Sequence, residues 1–238
     1  MKIIDAVWEK RNLGVSCYEV LFDSEDTLEE IKSSWLKFEE REYLVFKIPT
    51  NRVDIVDYVQ KQGCKFIEVA MVFEADLRTW TLPEYLKPIC EKCSYAPMNQ
   101  EEIDFMLSEI ANGIFKTDRV YLDSYFTHKQ AAQRYINWAQ DSLKQGDIAY
   151  KSMYQGETIG FAVGALGGVY SQFEGTGMGL CSQYVAIKRD IDKGEKFSRG
   201  NYSSNNTEML RILSALNKNV VSMSYVFVKH ISHDKESR

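Results

Sequence analysis

Residues 201–229 read NYSSNNTEMLRILSALNKNVVSMSYVFVK. The stretch reads as an amphipathic helix at about Thr207–Leu216, then a strand at Val220–Lys229. An earlier stretch, NRVDIVDYVQKQGCKFIEVAMVFE (51–74), follows the same plan. Residues 51–74 and 206–229 each open on Asn, run through an amphipathic helix, turn, and enter an apolar strand containing Val-Phe. Identity is low and a helix followed by a strand is common, so a structural pseudo-repeat and coincidence are equally supported.

Working outward, the first third predicts β-α-β-α-β. Strands fall at Tyr18–Phe22, Tyr43–Ile48 and Lys65–Phe73, with helices at Asp26–Glu40 and about Asn51–Gln62, the second stopped by Gly63. Residues 79–100 hold three of the four prolines and read as a linker. They divide the chain into residues 1–88, a smaller α/β domain, and residues 89–238. The second part predicts helices at Asn99–Ile114, with Asn99 as N-cap, and Thr127–Leu143. Strands follow at Ile148–Met153, Thr158–Val163 and Leu166–Tyr170. A helix at Met178–Lys193 and a strand at Lys196–Tyr202 lead into the stretch quoted first.

The bulk composition narrows the function classes. With 45% apolar and 26% charged residues, the 238-residue chain can build a sizeable core. A net charge of −5 argues against nucleic acid as a partner. The first ten residues hold Asp5 and Glu9 and no long apolar run, so no signal peptide is expected. GFAVGALGGV (160–169) is too short to span a bilayer. Five scattered cysteines point to a reducing, cytoplasmic setting. Cys90 and Cys93 form one CxxC, but a zinc site needs about four ligands and no second pair is present, so no metal is expected. The last residues, SHDKESR (232–238), read as a disordered tail.

EGTGMGL (174–180) lies between a strand and a helix. It is not a dinucleotide fingerprint, because residue 180 is Leu, and no Gly-Lys-Ser/Thr follows. Glycines let backbone approach a ligand, and a helix N-terminus suits a pyrophosphate. A phosphate cradle and a flexible hairpin end both fit.

From about residue 99 onward the layout resembles the GNAT N-acetyltransferases. EGTGMG occupies the place of that family's Gln/Arg-x-x-Gly-x-Gly/Ala loop. NYSSNNTEMLRILSALNKNVVSMSYVFVK resembles its closing strand–Asn–helix–strand unit, with Asn206 at the family spacing. DRVYLDSYFTHKQAAQRYINWAQD (118–141) resembles the acceptor-side segment of a narrower group that acetylates amino sugars on a nucleotide carrier and has a smaller N-terminal α/β domain. The resemblance implies an α/β, mixed-sheet GNAT fold, with a preceding domain that the pseudo-repeat would make GNAT-like. It also implies acetyl-CoA as co-substrate, its pyrophosphate on the amides of Thr176, Gly177, Met178, Gly179 and Leu180. Pantetheine would pair with the strand holding Phe161, Ala162 and Val163, and Asn206 would contact the CoA side. Lys188, Arg189, Lys193, Lys196 and Arg199 could steer the cofactor or form a solvated face.

Two positions depart from the family pattern. Glu174 stands where Gln or Arg is usual, and a carboxylate there disfavours pyrophosphate unless turned away. Leu213 stands where related enzymes place a general-acid Tyr. Tyr170, Tyr202 or Tyr225 could supply that proton; Tyr202 is the candidate adopted. For the base, Glu68 lies mid-strand at the same alternation as Phe66, Ala70 and Val72, where an apolar face would raise its pKa. In the resembling group a Glu after such a Gly-x-x-Phe turn faces the acceptor; the alternative is a structural ion pair. Asp118, Arg119, Tyr121 and Asp123 are weaker acceptor-side candidates.

The expected function is acetyl transfer from acetyl-CoA to a primary amine, an amino sugar on a nucleotide carrier or another small amine, by a monomer or homodimer with no nucleic-acid or membrane partner. The alternatives are a non-catalytic CoA-binding or scaffold protein on this fold, and an aminoacyl-tRNA-dependent transferase built from two such units.

Overall fold

Two sheets divide the strands, and the division does not follow chain order. The computed structural model describes residues 1–231; the expected tail lies outside them. In order, the chain forms β1 (Lys2–Asp5), α1 (Trp8–Leu13), β2 (Cys17–Leu21), α2 (Leu28–Phe38), β3 (Tyr43–Pro49), α3 (Val53–Lys61) and β4 (Lys65–Asp76). A 3-10 turn at Glu84–Leu86 leads to α4 (Lys87–Cys90), β5 (Cys93–Pro97), α5 (Gln100–Ala111), α6 (Arg119–Leu122) and α7 (His128–Lys144). Then come β6 (Tyr150–Tyr154), β7 (Glu157–Val163), β8 (Leu166–Val169), α8 (Met178–Asp192), β9 (Phe197–Ser203), α9 (Thr207–Ala215) and β10 (Asn219–His230).

One sheet has the order β5-β6-β7-β8, and the other β1-β2-β3-β10-β4-β9. The six-stranded sheet therefore mixes strands from both ends of the chain. β10 inserts between β3 and β4, and β4 between β10 and β9. Residue 88 falls within α4, and strands on both sides of it share this sheet.

The repeat is present in the fold. Adding 154 to the bounds of β3, α3 and β4 gives those of β9, α9 and β10. The register repeats too: Ala70 pairs with Ser203 as Ser224 pairs with Pro49. The turns correspond, with Gly63 at φ 80° and Asn217 at φ 54°. Both occupy the left-handed region, where Gly and Asn carry the least steric cost.

The helices cover these sheets as the patterning requires. Ile31, Trp35 and Phe38 of α2, with Ile55 and Val59 of α3, bury one face of the six-stranded sheet. Leu13, Val120 and Ala131 cover the other. Asn99 and Thr127 each cap a helix through a capping box, as Ser/Thr/Asn residues before an apolar-periodic run do.

The stretch read as a linker contains more structure than its prolines predict. β5 pairs along its length with β6, and Cys90 and Cys93 are buried. Pro97 is tolerated because β5 is an edge strand.

Candidate active site

The two sheets part between β8 and β9, which are not paired; β8 keeps a free edge while β9 joins β4. A cavity of about 610 Å³ occupies this region. Its lining includes Leu166 and Gly167 of β8, Gln183 of α8, Asn201, Tyr202 and Ser203 of β9, Asn206, and Glu68 and Ala70 of β4. Glu19, Lys47, Arg119 and Arg134 close it from the N-terminal half and from α6 and α7, and Trp8 and Trp138 also line it.

Glu68 and Tyr202, far apart in sequence, thus share one cavity. Glu68 is buried and its Oε2 has no hydrogen-bond partner. Burial raises its pKa, outweighing the Ser203 hydroxyl, which lowers it, and the neighbouring Asp118 adds to the rise. The expected face is only partly right. A register shift opposite Val226 and Phe227 makes Ile67 a bulge residue, and Phe66 packs instead against Tyr225 and Phe227. The bulge re-aims the strand so that Glu68 and Ala70 face the cavity.

The Tyr202 hydroxyl donates to Gln183 Oε1 at 3.3 Å, and burial pushes its pKa up to about 12. Its ring lies back over Gly200, where a Cβ would come within 2.4 Å of the hydroxyl. Tyr170 belongs to the core beneath β7, and Tyr225 packs on the α2–α3 face; neither lines the cavity. Leu213 is fully buried.

The strand expected to meet the cofactor differs from the one that can. β7 is paired on both edges, with β6 and with β8, and Phe161 and Val163 are core residues. Phe161, Ala162 and Val163 therefore offer no free edge. β8, which lies within the strand expected at Leu166–Tyr170, does.

In the glycine loop, Gly175 and Gly177 sit at φ 73° and 85°, and Gly177 is the N-cap of α8, which has no side-chain cap. The Thr176 amide is held by Phe173 O and the Leu180 amide by Gly177 O. As N-cap and first-turn groups, the amides of Gly177, Met178 and Gly179 have no acceptor within the helix. Gly179 serves packing: a Cβ there would come within 2.8 Å of Ile212 on α9. Glu174 turns to Lys116, 3.2 Å away. Asn206 caps α9 through the Met209 amide while lining the cavity. Lys188 pairs with Asp192, Arg199 with Glu74, and Lys193 lies over the Tyr150 ring, so these cations are engaged at or beyond the far end of α8.

The N-terminal counterpart of this site is closed. β2 and β3 pair in parallel from Cys17–Tyr43 to Leu21–Lys47. Residues 23–26 read DSED where 177–180 read GMGL, and the Thr27 capping box fills the N-terminus of α2.

A buried ion network backs the cavity. Arg119 bridges Glu9 (3.0 Å) and Glu19 (2.6 Å), Arg134 binds Glu9 (2.9 Å), and Lys47 binds Glu19 (3.1 Å). Burial penalises the Glu19 carboxylate, but Arg119 and Lys47 outweigh it and hold its pKa down to about 2. Glu9, Glu19, Lys47 and Arg134 are absent from the sequence-derived candidates. Glu19 and Lys47 carry the signal that marked Glu68, a charge inside an apolar strand. Of the weaker candidates, Asp118 and Arg119 line the cavity, while Asp123 binds His230 and Tyr121 stacks on His128.

Solved structures share this architecture. A GCN5-related N-acetyltransferase from Sphaerobacter thermophilus superposes with TM-score 0.61 at 11% identity, over 97% of this chain and 76% of that one. The fold is that of the GCN5-related N-acetyltransferases. A tandem GNAT protein from the clavulanic acid biosynthesis pathway matches with TM-score 0.54 at 11% identity, over 91% of this chain and 75% of that one. A GCN5-related N-acetyltransferase from Kribbella flavida matches with TM-score 0.52 at 13% identity, over 94% and 84%. No family model matches the sequence, and no curated protein does. Among the described residues no helix is long and apolar enough to cross a membrane.

Proposed function

We propose that the protein transfers an acetyl group from acetyl-CoA to a primary amine. The observation that carries this reading is Glu68: a buried carboxylate with an unpartnered oxygen, in the same cavity as the Tyr202 hydroxyl, where the sheets part. A raised pKa suits a base that takes the proton of an ammonium. The deprotonated nitrogen forms its bond to the thioester carbonyl carbon, the carbon–sulfur bond breaks, Tyr202 donates a proton to the departing sulfur, and the proton the new amide nitrogen sheds restores the Tyr202 hydroxyl. Amides on the free edge of β8 are available to the carbonyl oxygen. The uncapped amides of Gly177, Met178 and Gly179 fit a pyrophosphate, and Lys116 neutralises the carboxylate that would oppose it. In this reading the N-terminal half is the acceptor side and holds no second cofactor site.

Calorimetry with acetyl-CoA tests this reading. Wild type binds, and Gly177→Trp, which places a large side chain at a φ suited to glycine, does not. Absence of binding to wild type at millimolar cofactor removes the proposal. Binding without acetylation of any amine replaces it with a non-catalytic CoA-binding role.

A further inference from the structure

We infer that the acceptor carries no phosphate or carboxylate of its own, resting on the amine-acetylation reading above. Four cations line the cavity: Arg11, Lys47, Arg119 and Arg134. Each is already held. Arg11 binds Asp141 (Nη1–Oδ1 3.1 Å), Lys47 binds Glu19, Arg119 binds Glu9 and Glu19, and Arg134 binds Glu9. The acids are Glu19, Glu68, Asp118 and Asp141 in the lining, with Glu9 behind it. The lining holds four carboxylates and four cations, and Glu9, held by Arg119 and Arg134, brings the carboxylates to five; the buried lining atoms left without a partner are Glu68 Oε2 and Arg119 Nε, whose guanidinium charge Glu9 and Glu19 already match.

One ammonium balances this set. An acceptor bearing a phosphate or carboxylate as well would have to draw a cation from its partner, leaving a buried carboxylate alone. The remaining lining suits a neutral body: Trp8 and Trp138 are each 41% exposed, which places them at the mouth. An amino sugar on a nucleotide carrier, the narrow expectation from sequence, brings a pyrophosphate, and each of the four lining cations already faces a carboxylate.

Matched pairs test the idea on the full chain with saturating acetyl-CoA: tyramine against tyrosine, and glucosamine against glucosamine 6-phosphate. Binding is read by calorimetry and turnover by thiol release. The neutral-bodied member of each pair should bind about 100-fold more tightly. Asp141→Asn, which frees Arg11 at a half-exposed position, should narrow that gap at least several-fold. Equal or tighter binding of the anionic members overturns the inference, as does failure of all four amines to bind at millimolar concentration. Preferential binding without acetylation supports the inference and removes the acetyl-transfer reading instead.

Discussion

Ala70 and Ser224 face each other across β4 and β10, 154 residues apart, at the centre of the repeat. Each strand thus completes the sheet of the other half: β10 fills the gap between β3 and β4, and β4 the gap between β10 and β9. Residues 1–88 alone would leave β3 and β4 without the strand that joins them. Expressed separately, that fragment should be unfolded by circular dichroism, while the whole chain melts in one transition. A folded fragment would contradict this account of the sheet.

Glu68→Gln should lower kcat by about 10²- to 10⁴-fold, the range for a general base. The wild-type acid limb of kcat/KM should lie above the ordinary carboxylate range and vanish in the variant. Stability should move the other way. Because burial raises the folded-state pKa of Glu68, the unfolded chain ionises first as pH rises, and stability falls from the ordinary carboxylate pKa up to the raised one. Glu68→Gln should therefore melt higher than wild type at pH 7 and equally at pH 4.

Tyr202→Phe should reduce kcat about 100-fold. With a pKa of about 12 the hydroxyl stays protonated through neutral pH, so its loss should leave the acid limb unchanged. Gly200→Ala reaches the same group indirectly, since its methyl would occupy the space of the ring. Most of the Tyr202→Phe loss should appear in Gly200→Ala, and the double variant should lose little more. Additive losses would show that the two residues act independently.

Lys218 is buried, its Nζ 3.0 Å from the Ser198 hydroxyl, which donates to Asp190. Burial brings its pKa down to about 8 from 10.5. Between those values the unfolded chain binds more protons than the native one, so this cost is full below pH 8 and fades as pH rises to 10.5. At about 1.4 kcal/mol per pKa unit it amounts to roughly 3 kcal/mol. Lys218→Met should raise the melting temperature at pH 7, with a smaller gain at pH 10. A variant less stable at pH 7 would show that the amine's contacts outweigh its desolvation.

The longer elements were legible because their apolar residues keep one period: the helices at 28–38 and 100–111 fall within their expected bounds, and that at 128–144 passes its expected end by one residue. β1 and β5 were harder. They span four and five residues, so neither period nor propensity marks them, whereas β8 falls within the strand expected at Leu166–Tyr170. A single mid-strand charge marks Glu68 in the sequence, and the cavity lining includes it. The buried pairs of Glu9 with Arg119 and Arg134 were not, because each joins residues 110 or more apart and no local pattern encodes the match. The resemblance put the cofactor on β7, and only the strand pairing, which no local pattern encodes, shows that β7 has both edges filled and β8 one open.

The exchange of central strands also sets a timetable for synthesis. Pro49 leaves the ribosome 175 residues before Ser224, its partner in the sheet. At about 5–20 residues per second, β3 and β4 wait on the order of ten seconds or more for β10. Through that interval two strands rich in Val, Ile and Phe expose unpaired edges, a template for pairing with other nascent chains. Nascent chains stalled before β10 should therefore be the species that chaperones hold.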